Sequence, residues 1–378
     1  SAEIAGKGAL YAQCAQQSHK PESQPPVKIT LIIVFGTLLL CLGVLVLLVS
    51  KWRRTPYGQL TTPAAIIARL SAWQESASSN ATVQALRESR RRAVRLVCAP
   101  PAAMQDVRNL QIAGPEDALP LRIYTPTAST TPLPIILYFH GGGWVLGDLD
   151  SHDNLCRTLA AKTNAIVVAV DYRLSPENIF PAALEDATKA LRWIVANAQS
   201  CNGDAARIAV AGDSAGGTLA AALSLQVRDQ QGPAIAAQVL LYPAVDLSNL
   251  ERPSTQQFAK GLFLSKERMA WFIDQYVPDK AARSNPLVSP LLADDHRQLP
   301  AALVITAEFD PLRDEGEAYA AALKQAGVET RQQRYDGVLH GFASMDRWFP
   351  EAGQATDLIV SFLREHLQAG KQTTTSQQ

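Results

Sequence analysis

The sequence lacks the cysteine patterns that mark disulfide frameworks and zinc sites. Its 378 residues include five cysteines, which are scattered, and none belongs to a CxxC pair. An odd number at irregular spacing predicts neither a disulfide scaffold nor a metal site, and buried free thiols are the simpler interpretation. The five are Cys14, Cys41, Cys98, Cys156 and Cys201.

A surplus of charge of either sign is also absent. The 35 lysines and arginines balance the 35 aspartates and glutamates. A neutral chain creates no field that attracts polyanions, so nucleic acid is not an expected partner. The sequence contains no internal repeat and no low-complexity tract, and its length suits one large domain with additions.

One long uncharged segment is present near the N-terminus. Residues 29–49 form an apolar run of 21 residues. A helix of this length rises about 30 Å, the thickness of a bilayer's hydrocarbon core. A signal peptide has a shorter apolar region, and here Ser50-Lys51-Trp52-Arg53-Arg54 follows at interfacial depth. We therefore predict a single-pass helix in the lipid bilayer over 29–49, rather than a buried core helix, after a polar leader over 1–28.

The side of the membrane on which the rest of the chain lies stays open. More cations follow the apolar run than precede it, which by the positive-inside rule favours a cytoplasmic location for the following part. The difference is small, and a folded domain that follows the span can override it. The cations that follow are Lys51, Arg53, Arg54 and Arg69, and those that precede are Lys20 and Lys28.

Two helical segments follow between residues 50 and 105. The first begins at Thr62, with Pro63 suited to a helix start, and the second runs from about Thr82 to Val97. The second carries a cluster of arginines, for which a solvated helix face is the simplest interpretation, and attraction to anionic lipid headgroups is the alternative. The cluster consists of Arg90, Arg91, Arg92 and Arg95.

Strand-like and helical segments then alternate up to about residue 370, before a short flexible tail over 371–378. Two opening strands without a helix between them, followed by βα repeats, predict an α/β fold with a mostly parallel eight-stranded sheet and helices on both faces. The aromatic-rich stretch Thr255–Val277 interrupts the alternation, and we interpret it as a helical lid. Strands are predicted at Val107–Ile112, Leu121–Tyr124, Ile135–Phe139, Ile166–Val170, Ile208–Ala211, Val239–Tyr242, Leu303–Thr306 and Thr330–Tyr335. Helices are predicted at Asn154–Lys162, Ala182–Ala198, Thr218–Val227, Gly316–Gln325 and Ala355–Leu367.

The stretch RIAVAGDSAGG at 207–217 contains the most informative motif. An apolar strand, a G-x-S-x-G turn and a helix follow one another, and this is the context in which the motif exposes a nucleophilic serine. The start of the helix directs backbone N–H groups at the turn, which favours negative charge there. Ser214 is therefore the predicted nucleophile.

Further chemistry-bearing residues follow other predicted strands, where ligands bind in parallel sheets. His140-Gly141-Gly142-Gly143-Trp144 follows Ile135–Phe139, and its unshielded glycine N–H groups suit an oxyanion. Asp310 follows the seventh strand and His340 the eighth, in the order serine, aspartate, histidine. A serine needs a base to attack, histidine can take and return the proton near neutral pH, and aspartate fixes the imidazole tautomer.

Together these motifs resemble the hormone-sensitive lipase family of α/β-hydrolase carboxylesterases, which includes bacterial family IV esterases and is similar to the arylacetamide deacetylases. The resemblance covers roughly residues 62–367. It rests on HGGGW at 140–144, DYRLSPENIFPAALED at 171–186, GDSAGG at 212–217, DPLRDEGE at 310–317 and HGF at 340–342.

The resemblance implies an α/β-hydrolase fold with a catalytic domain over 106–370. It also implies a two-part cap, formed by helices within 50–105 and an insertion at about 250–285. The family's triad falls on Ser214, Asp310 and His340. Its oxyanion hole falls on the N–H groups of Gly142, Gly143 and Ala215, while Trp144 and Asp213 are the predicted substrate contacts.

We therefore expect a membrane-anchored serine carboxylesterase that acts on a small-molecule ester of short to medium acyl length and needs no metal or organic cofactor. An amidase or deacetylase of the same fold is the alternative. Gibberellin receptors resemble this family but bind without hydrolysis and have lost the triad histidine, so the presence of His340 argues against a receptor. The natural ester and the oligomeric state stay open.

Overall fold

The computed structural model describes residues 27–77 and 81–368. The chain divides into two units between Lys51 and Trp52. Nearly all of the predicted polar leader over 1–28, and the whole predicted tail over 371–378, lie outside the described residues.

An apolar helix, α1, runs from Val27 to Arg53, and its residues up to Lys51 are the described part of the first unit. The stretch Leu31–Arg53 is long and apolar enough to cross a membrane, and its most apolar window has no buried residue. This length and composition fit a membrane span or a signal sequence. The prediction of one apolar N-terminal helix is confirmed.

An eight-stranded sheet is the framework of the second unit. Its strands are β3 (Asp106–Ala113), β4 (Ala118–Thr125), β5 (Leu133–Phe139), β6 (Ile166–Val170), β7 (Gly203–Asp213), β8 (Ala237–Leu241), β9 (Ala301–Phe309) and β10 (Thr330–Leu339). They lie in the order β10-β9-β8-β7-β5-β6-β4-β3. Neighbours from β10 to β6 are parallel, and β4 is antiparallel to both β6 and β3. The predicted mostly parallel sheet is confirmed. A small hairpin of β1 (Arg54–Thr55) and β2 (Gly58–Gln59), which the sequence analysis did not predict, precedes it.

Helices cover both faces because the parallel strands are apolar on both sides. In β6, Ile166, Val168 and Val170 pack into the core on one face, and Val167 and Ala169 into the core on the other. The helices are α2 (Thr62–Ala77), α3 (Val83–Val97), α4 (Asp153–Thr163), α5 (Ala182–Asn197), α6 (Ala215–Asp229), α7 (Pro253–Gln257), α8 (Lys266–Tyr276), α9 (Arg313–Gln325) and α10 (Pro350–His366). Helices α5, α6 and α9 pack on the first face, and α2, α4 and α10 on the second. Short 3-10 turns occupy Ala198–Cys201, Ala281–Ser284, Pro290–Leu292 and Phe342–Ser344.

The cap has two parts, as the family resemblance implies. Helices α2 and α3 form the first part, and α7 and α8 with their connection form the second. The predicted helical stretch Thr255–Val277 is not continuous, because a non-helical segment separates α7 from α8. Within it, Gly261 has a φ of 77°, a left-handed conformation that favours glycine.

Candidate active site

The predicted nucleophile lies on a sharp turn between β7 and α6. Ser214 has φ 54° and ψ −120°, a conformation that costs about 1–3 kcal/mol and persists only where the surroundings enforce it. The Ser214 N–H donates to the Leu241 carbonyl at 2.8 Å, which ties the turn to β8. A Cβ atom on Gly212 would lie 2.3 Å from the Gly216 oxygen, and one on Gly216 would lie 2.0 Å from the Phe139 oxygen. Both glycines are therefore required by close backbone approach.

The other two predicted triad residues meet this serine. His340 follows β10, and its Nε2 lies 2.9 Å from Ser214 Oγ. Asp310 follows β9, is completely buried, and places Oδ2 at 2.7 Å from His340 Nδ1. The Leu312 N–H donates to Asp310 Oδ1 at 2.8 Å, which fixes the orientation of the carboxylate. A carboxylate accepts from Nδ1–H, so Nε2 is the nitrogen left to accept the serine proton.

The glycine loop after β5 presents backbone donors beside the serine. Gly142 and Gly143 have φ values of 136° and 63°. Within the described chain, the N–H groups of Gly142, Gly143 and Ala215 donate to no other residue. A Cβ atom on Gly143 would lie 2.3 Å from the ring of Phe272, so the cap packs directly on this glycine. This arrangement suits binding of a negatively charged oxygen.

The carboxylate of Asp213, a predicted substrate contact that stays a prediction, supports the glycine loop. Its Oδ1 accepts from the Tyr138 hydroxyl at 2.6 Å and from the Gly141 N–H at 2.9 Å. His152 Nε2 lies 3.2 Å from Oδ1 and 3.3 Å from Oδ2. Burial alone raises the pKa of Asp213, but His152 and the Tyr138 hydroxyl outweigh burial, and the net shift is downward. An ionised Asp213 therefore holds the glycine loop through the N–H of Gly141.

A second buried group, His140, also shapes the loop. Its ring stacks on Tyr172 with centroids 4.3 Å apart, and the Tyr172 hydroxyl donates to the His140 carbonyl at 2.6 Å. Burial, together with the neighbouring His152, lowers the pKa of His140 to about 4. The imidazole is therefore neutral near pH 7 and acts as a packing element.

The predicted site residues lie around one cavity of about 280 Å³. Seven of the eight predicted site residues line it, and the eighth, Asp310, lies behind His340. Both parts of the cap contribute walls: Leu86, Val94 and Val97 come from α3, while Phe263, Met269, Phe272 and Ile273 come from the insertion.

Aromatic residues from the glycine loop and from the insertion lie around the cavity. The indole of Trp144 is buried, lines the cavity and stacks on Tyr276 at 4.5 Å with an interplanar angle of 4°. Trp271 is not among the lining residues and packs edge-on against Phe272, with centroids 5.1 Å apart.

Several polar residues of the cavity were missed by the sequence analysis. Arg90 was assigned to a solvated face, but it lines the cavity. Glu315 lies in the quoted DPLRDEGE motif, yet no role was predicted for it. Its Oε1 accepts from the Val245 N–H at 2.8 Å, its Oε2 has no hydrogen-bond partner, and burial raises its pKa to about 8. Arg268 and Asp246 also line the cavity.

Among residues 27–77 and 81–368, no cluster of three or more His, Cys, Asp or Glu side chains is arranged to hold a metal ion.

Comparisons with known proteins identify the family of the chain. Residues 136–344 match the family described as the alpha/beta hydrolase fold. The ethyl acetate hydrolase of Pseudomonas putida is 42% identical over 252 residues, which are 66% of this chain and 79% of that protein. Carboxylesterase NlhH of Mycobacterium tuberculosis is 38% identical over 288 residues, 75% of this chain and 90% of its own length.

The chain is also similar to solved structures of ester hydrolases. The ester hydrolase EH1AB1 from the metagenome of Lake Arreo is 39% identical, with a TM-score of 0.76 over 82% of this chain and 99% of that one. The carboxylesterase EstE1, cloned from a metagenomic library, is 40% identical, with a TM-score of 0.74 over 76% of this chain and 98% of that one. The chain therefore belongs to the hormone-sensitive lipase family of α/β-hydrolase carboxylesterases and is a carboxylic-ester hydrolase.

Proposed function

We propose that this protein is a membrane-anchored serine carboxylesterase that hydrolyses short to medium acyl esters through a Ser-His-Asp triad. One observation carries the proposal. Ser214, His340 and Asp310 form a continuous hydrogen-bonded chain, with contacts of 2.9 Å and 2.7 Å, that opens into the cavity.

The first half of the reaction forms an acyl-enzyme. Ser214 Oγ attacks the ester carbonyl carbon while His340 Nε2 takes the hydroxyl proton. The carbonyl oxygen becomes negatively charged and accepts hydrogen bonds from the N–H groups of Gly142, Gly143 and Ala215. When the tetrahedral species collapses, the bond to the alcohol oxygen breaks, and that oxygen receives the proton from Nε2.

The second half repeats these steps with water. His340 Nε2 takes a proton from a water molecule, whose oxygen attacks the acyl carbon. Collapse returns the proton to Ser214 Oγ and releases the carboxylic acid. Throughout, Asp310 holds Nδ1–H and stabilises the positive imidazolium that forms twice in each cycle.

The apolar helix α1 supports membrane anchoring rather than removal as a signal sequence. It continues without a break through Lys51, Trp52 and Arg53, so cations and an indole lie at its end. Such residues are typical of the interface that flanks a membrane span. In this proposal, residues 29–49 span the bilayer, residues 50–105 contain the linker and the first cap helices, and residues 106–370 form the catalytic domain with its cap insertion at about 250–285.

The cavity walls support a preference for small esters. Trp144, Phe263 and Phe272 place aromatic bulk around the space beside Ser214. Acyl chains of about two to eight carbons gain roughly 0.8 kcal/mol for each buried methylene until the space is filled. Amides are expected to react poorly, because their carbonyls are less electrophilic and their leaving group needs a proton from His340.

The serine mechanism is tested with Ser214→Ala, and Ser344→Ala serves as a matched control because Ser344 lines the same cavity. We expect Ser214→Ala to abolish hydrolysis of an aryl butanoate and Ser344→Ala to retain most of it. Rapid hydrolysis by Ser214→Ala would exclude the proposed nucleophile. An anilide of the same acid, hydrolysed by the wild type faster than the ester, would instead identify an amidase.

A further inference from the structure

The arginine cluster of α3 is divided between different surroundings. Arg91 pairs with Asp148 at 2.5 Å and Arg92 with Glu88 at 3.4 Å, and the side chains of these two arginines are 57% and 81% exposed. Both fit the predicted solvated helix face. Arg90 differs, because it lines the catalytic cavity.

Arg90 has no anionic partner among the residues that the structure describes. Its Nε atom is buried without a hydrogen-bond acceptor, and no described carboxylate lies within ion-pair distance of the guanidinium. Its charge nevertheless acts on two buried groups beside the triad, the Asp213 carboxylate and the Tyr242 hydroxyl. Arg90 lines the same cavity as Ser214 and His340.

Arg268 supplies a second positive charge from the other part of the cap. It lines the same cavity, and its guanidinium lies over the Trp271 ring, 5.5 Å from the centroid. In the described ranges no carboxylate pairs with it. Two cations thus face one cavity from two separate cap segments.

The described acidic residues that line the cavity do not form ion pairs with these arginines. Asp213 is held by Tyr138, Gly141 and His152 beneath the glycine loop. Asp246 pairs with Arg252 at 2.5 Å. Glu315 is largely protonated near pH 7, because burial raises its pKa to about 8. Among the described residues, neither arginine therefore forms an ion pair with an acidic residue of the cavity.

We propose that Arg90 is a specificity-determining residue that binds the carboxylate of an anionic ester, with Arg268 reinforcing the positive field. This proposal rests on the proposed esterase function and names its substrate class: esters that carry a free carboxylate in the acyl or the alcohol part. A planar guanidinium presents paired N–H donors that match a carboxylate. A largely apolar, partly enclosed cavity strengthens this attraction relative to open water. A neutral ester would leave the charge of Arg90 unpaired.

The test uses two pairs of esters and the full chain in detergent. In one pair the alcohol part is 4-carboxyphenol or 4-carbamoylphenol, each as the butanoate. In the other pair the acyl part is adipate or its monoamide, each as the 4-nitrophenyl ester. Within each pair, the ratio of kcat/KM for the carboxylate ester over the amide-bearing ester isolates recognition of the charge.

Arg90→Gln is expected to lower this ratio at least about tenfold in one of the pairs, the size of a lost charge-assisted hydrogen bond. The effect should lie mainly in KM, because the carboxylate is bound alike in the ground and transition states. Arg92→Gln removes the same charge from the exposed side of the same helix and is the matched control. It is expected to leave both ratios within about twofold of the wild type.

Two results would overturn the proposal. Ratios within about twofold of the wild type for Arg90→Gln in both pairs would show that Arg90 does not recognise the carboxylate. An equal fall for Arg92→Gln would show a general effect of charge. In both cases Ser214-dependent hydrolysis of the neutral esters persists, so the proposed function stands. If Ser214→Ala hydrolyses the neutral esters as fast as the wild type does, the proposed function fails, and the role of Arg90 fails with it.

Discussion

Replacement of Asp310 by asparagine is expected to remove nearly all turnover by moving one proton on His340. Asp310 Oδ1 accepts from the Leu312 N–H at 2.8 Å, and Oδ2 faces His340 Nδ1 at 2.7 Å. In Asp310→Asn the amide oxygen keeps the bond from Leu312, so the NH2 group turns toward Nδ1. Nδ1 must then accept, and the ring proton moves to Nε2, the atom that faces Ser214 Oγ at 2.9 Å. A protonated Nε2 cannot take the serine proton.

The wrong tautomer is expected to lower kcat on the order of 10⁴-fold. This corresponds to about 5.5 kcal/mol of lost transition-state stabilisation. Asp314→Asn is the matched control, because Asp314 lies on the same segment but accepts from the Ser254 N–H at 2.7 Å and pairs with Arg313 at 2.9 Å. An amide oxygen can keep the bond from Ser254, and the partly exposed ion pair is worth about 1 kcal/mol or less.

The assay is kcat for an aryl butanoate, measured after thermal unfolding has shown that both variants are folded. Asp314→Asn is expected to stay within about threefold of the wild type, as most substitutions outside special sites do. A loss of less than about tenfold for Asp310→Asn would refute the tautomer argument. A larger loss for Asp314→Asn than for Asp310→Asn would assign the orienting acid to the wrong residue.

Three further predictions concern the anchor, the pocket and a buried acid. A chain beginning at Trp52 is expected to be soluble and active, because Trp52 packs against the core of the second unit. The full chain should stay with membranes in a carbonate wash, and its release into the soluble fraction would refute anchoring. For aryl esters with acyl chains of two to sixteen carbons, kcat/KM should rise roughly fourfold for each methylene added and pass a maximum by about eight carbons. A kcat/KM that is still rising at sixteen carbons would indicate an open groove. Because burial raises the pKa of Glu315 from 4.5 to about 8, the folded chain holds a proton that the unfolded chain loses, so stability should fall as pH rises through that window. Urea unfolding of the soluble chain should show a flatter pH dependence for Glu315→Gln, and an unchanged slope would contradict the protonated state.

The sheet and the contacts among Ser214, His340 and Asp310 could be predicted from the sequence because both leave local patterns. Every residue of β6 is buried, so its apolar run predicts a strand covered on both faces. Gly212, Gly216 and Gly142 are required by close backbone approach, so they are visible as motifs. Asp310 follows β9 and His340 follows β10. Because these two strands pair in parallel, the two residues lie at neighbouring strand ends.

The features that were missed depend on contacts between distant segments. The orientation of the Asp213 carboxylate is set by Tyr138 and His152, which come from other elements. The position of Arg90 in the cavity depends on how α3 packs against the rest of the second unit, where Arg87 donates to the Val145 carbonyl and Arg91 pairs with Asp148. Helical periodicity alone does not show which neighbour each face of a helix meets. The β1–β2 hairpin has only two residues in each strand, too few for a hydrophobic pattern.

Covalent labelling tests the serine mechanism most directly. After incubation with a 4-nitrophenyl phosphonate ester, peptide mapping by mass spectrometry is predicted to locate one phosphonyl group on Ser214, with loss of hydrolysis in proportion to labelling. Ser214→Ala should take up no label. A label on another serine that accompanies the loss of activity, or full hydrolysis by protein labelled at Ser214, would contradict the proposed mechanism.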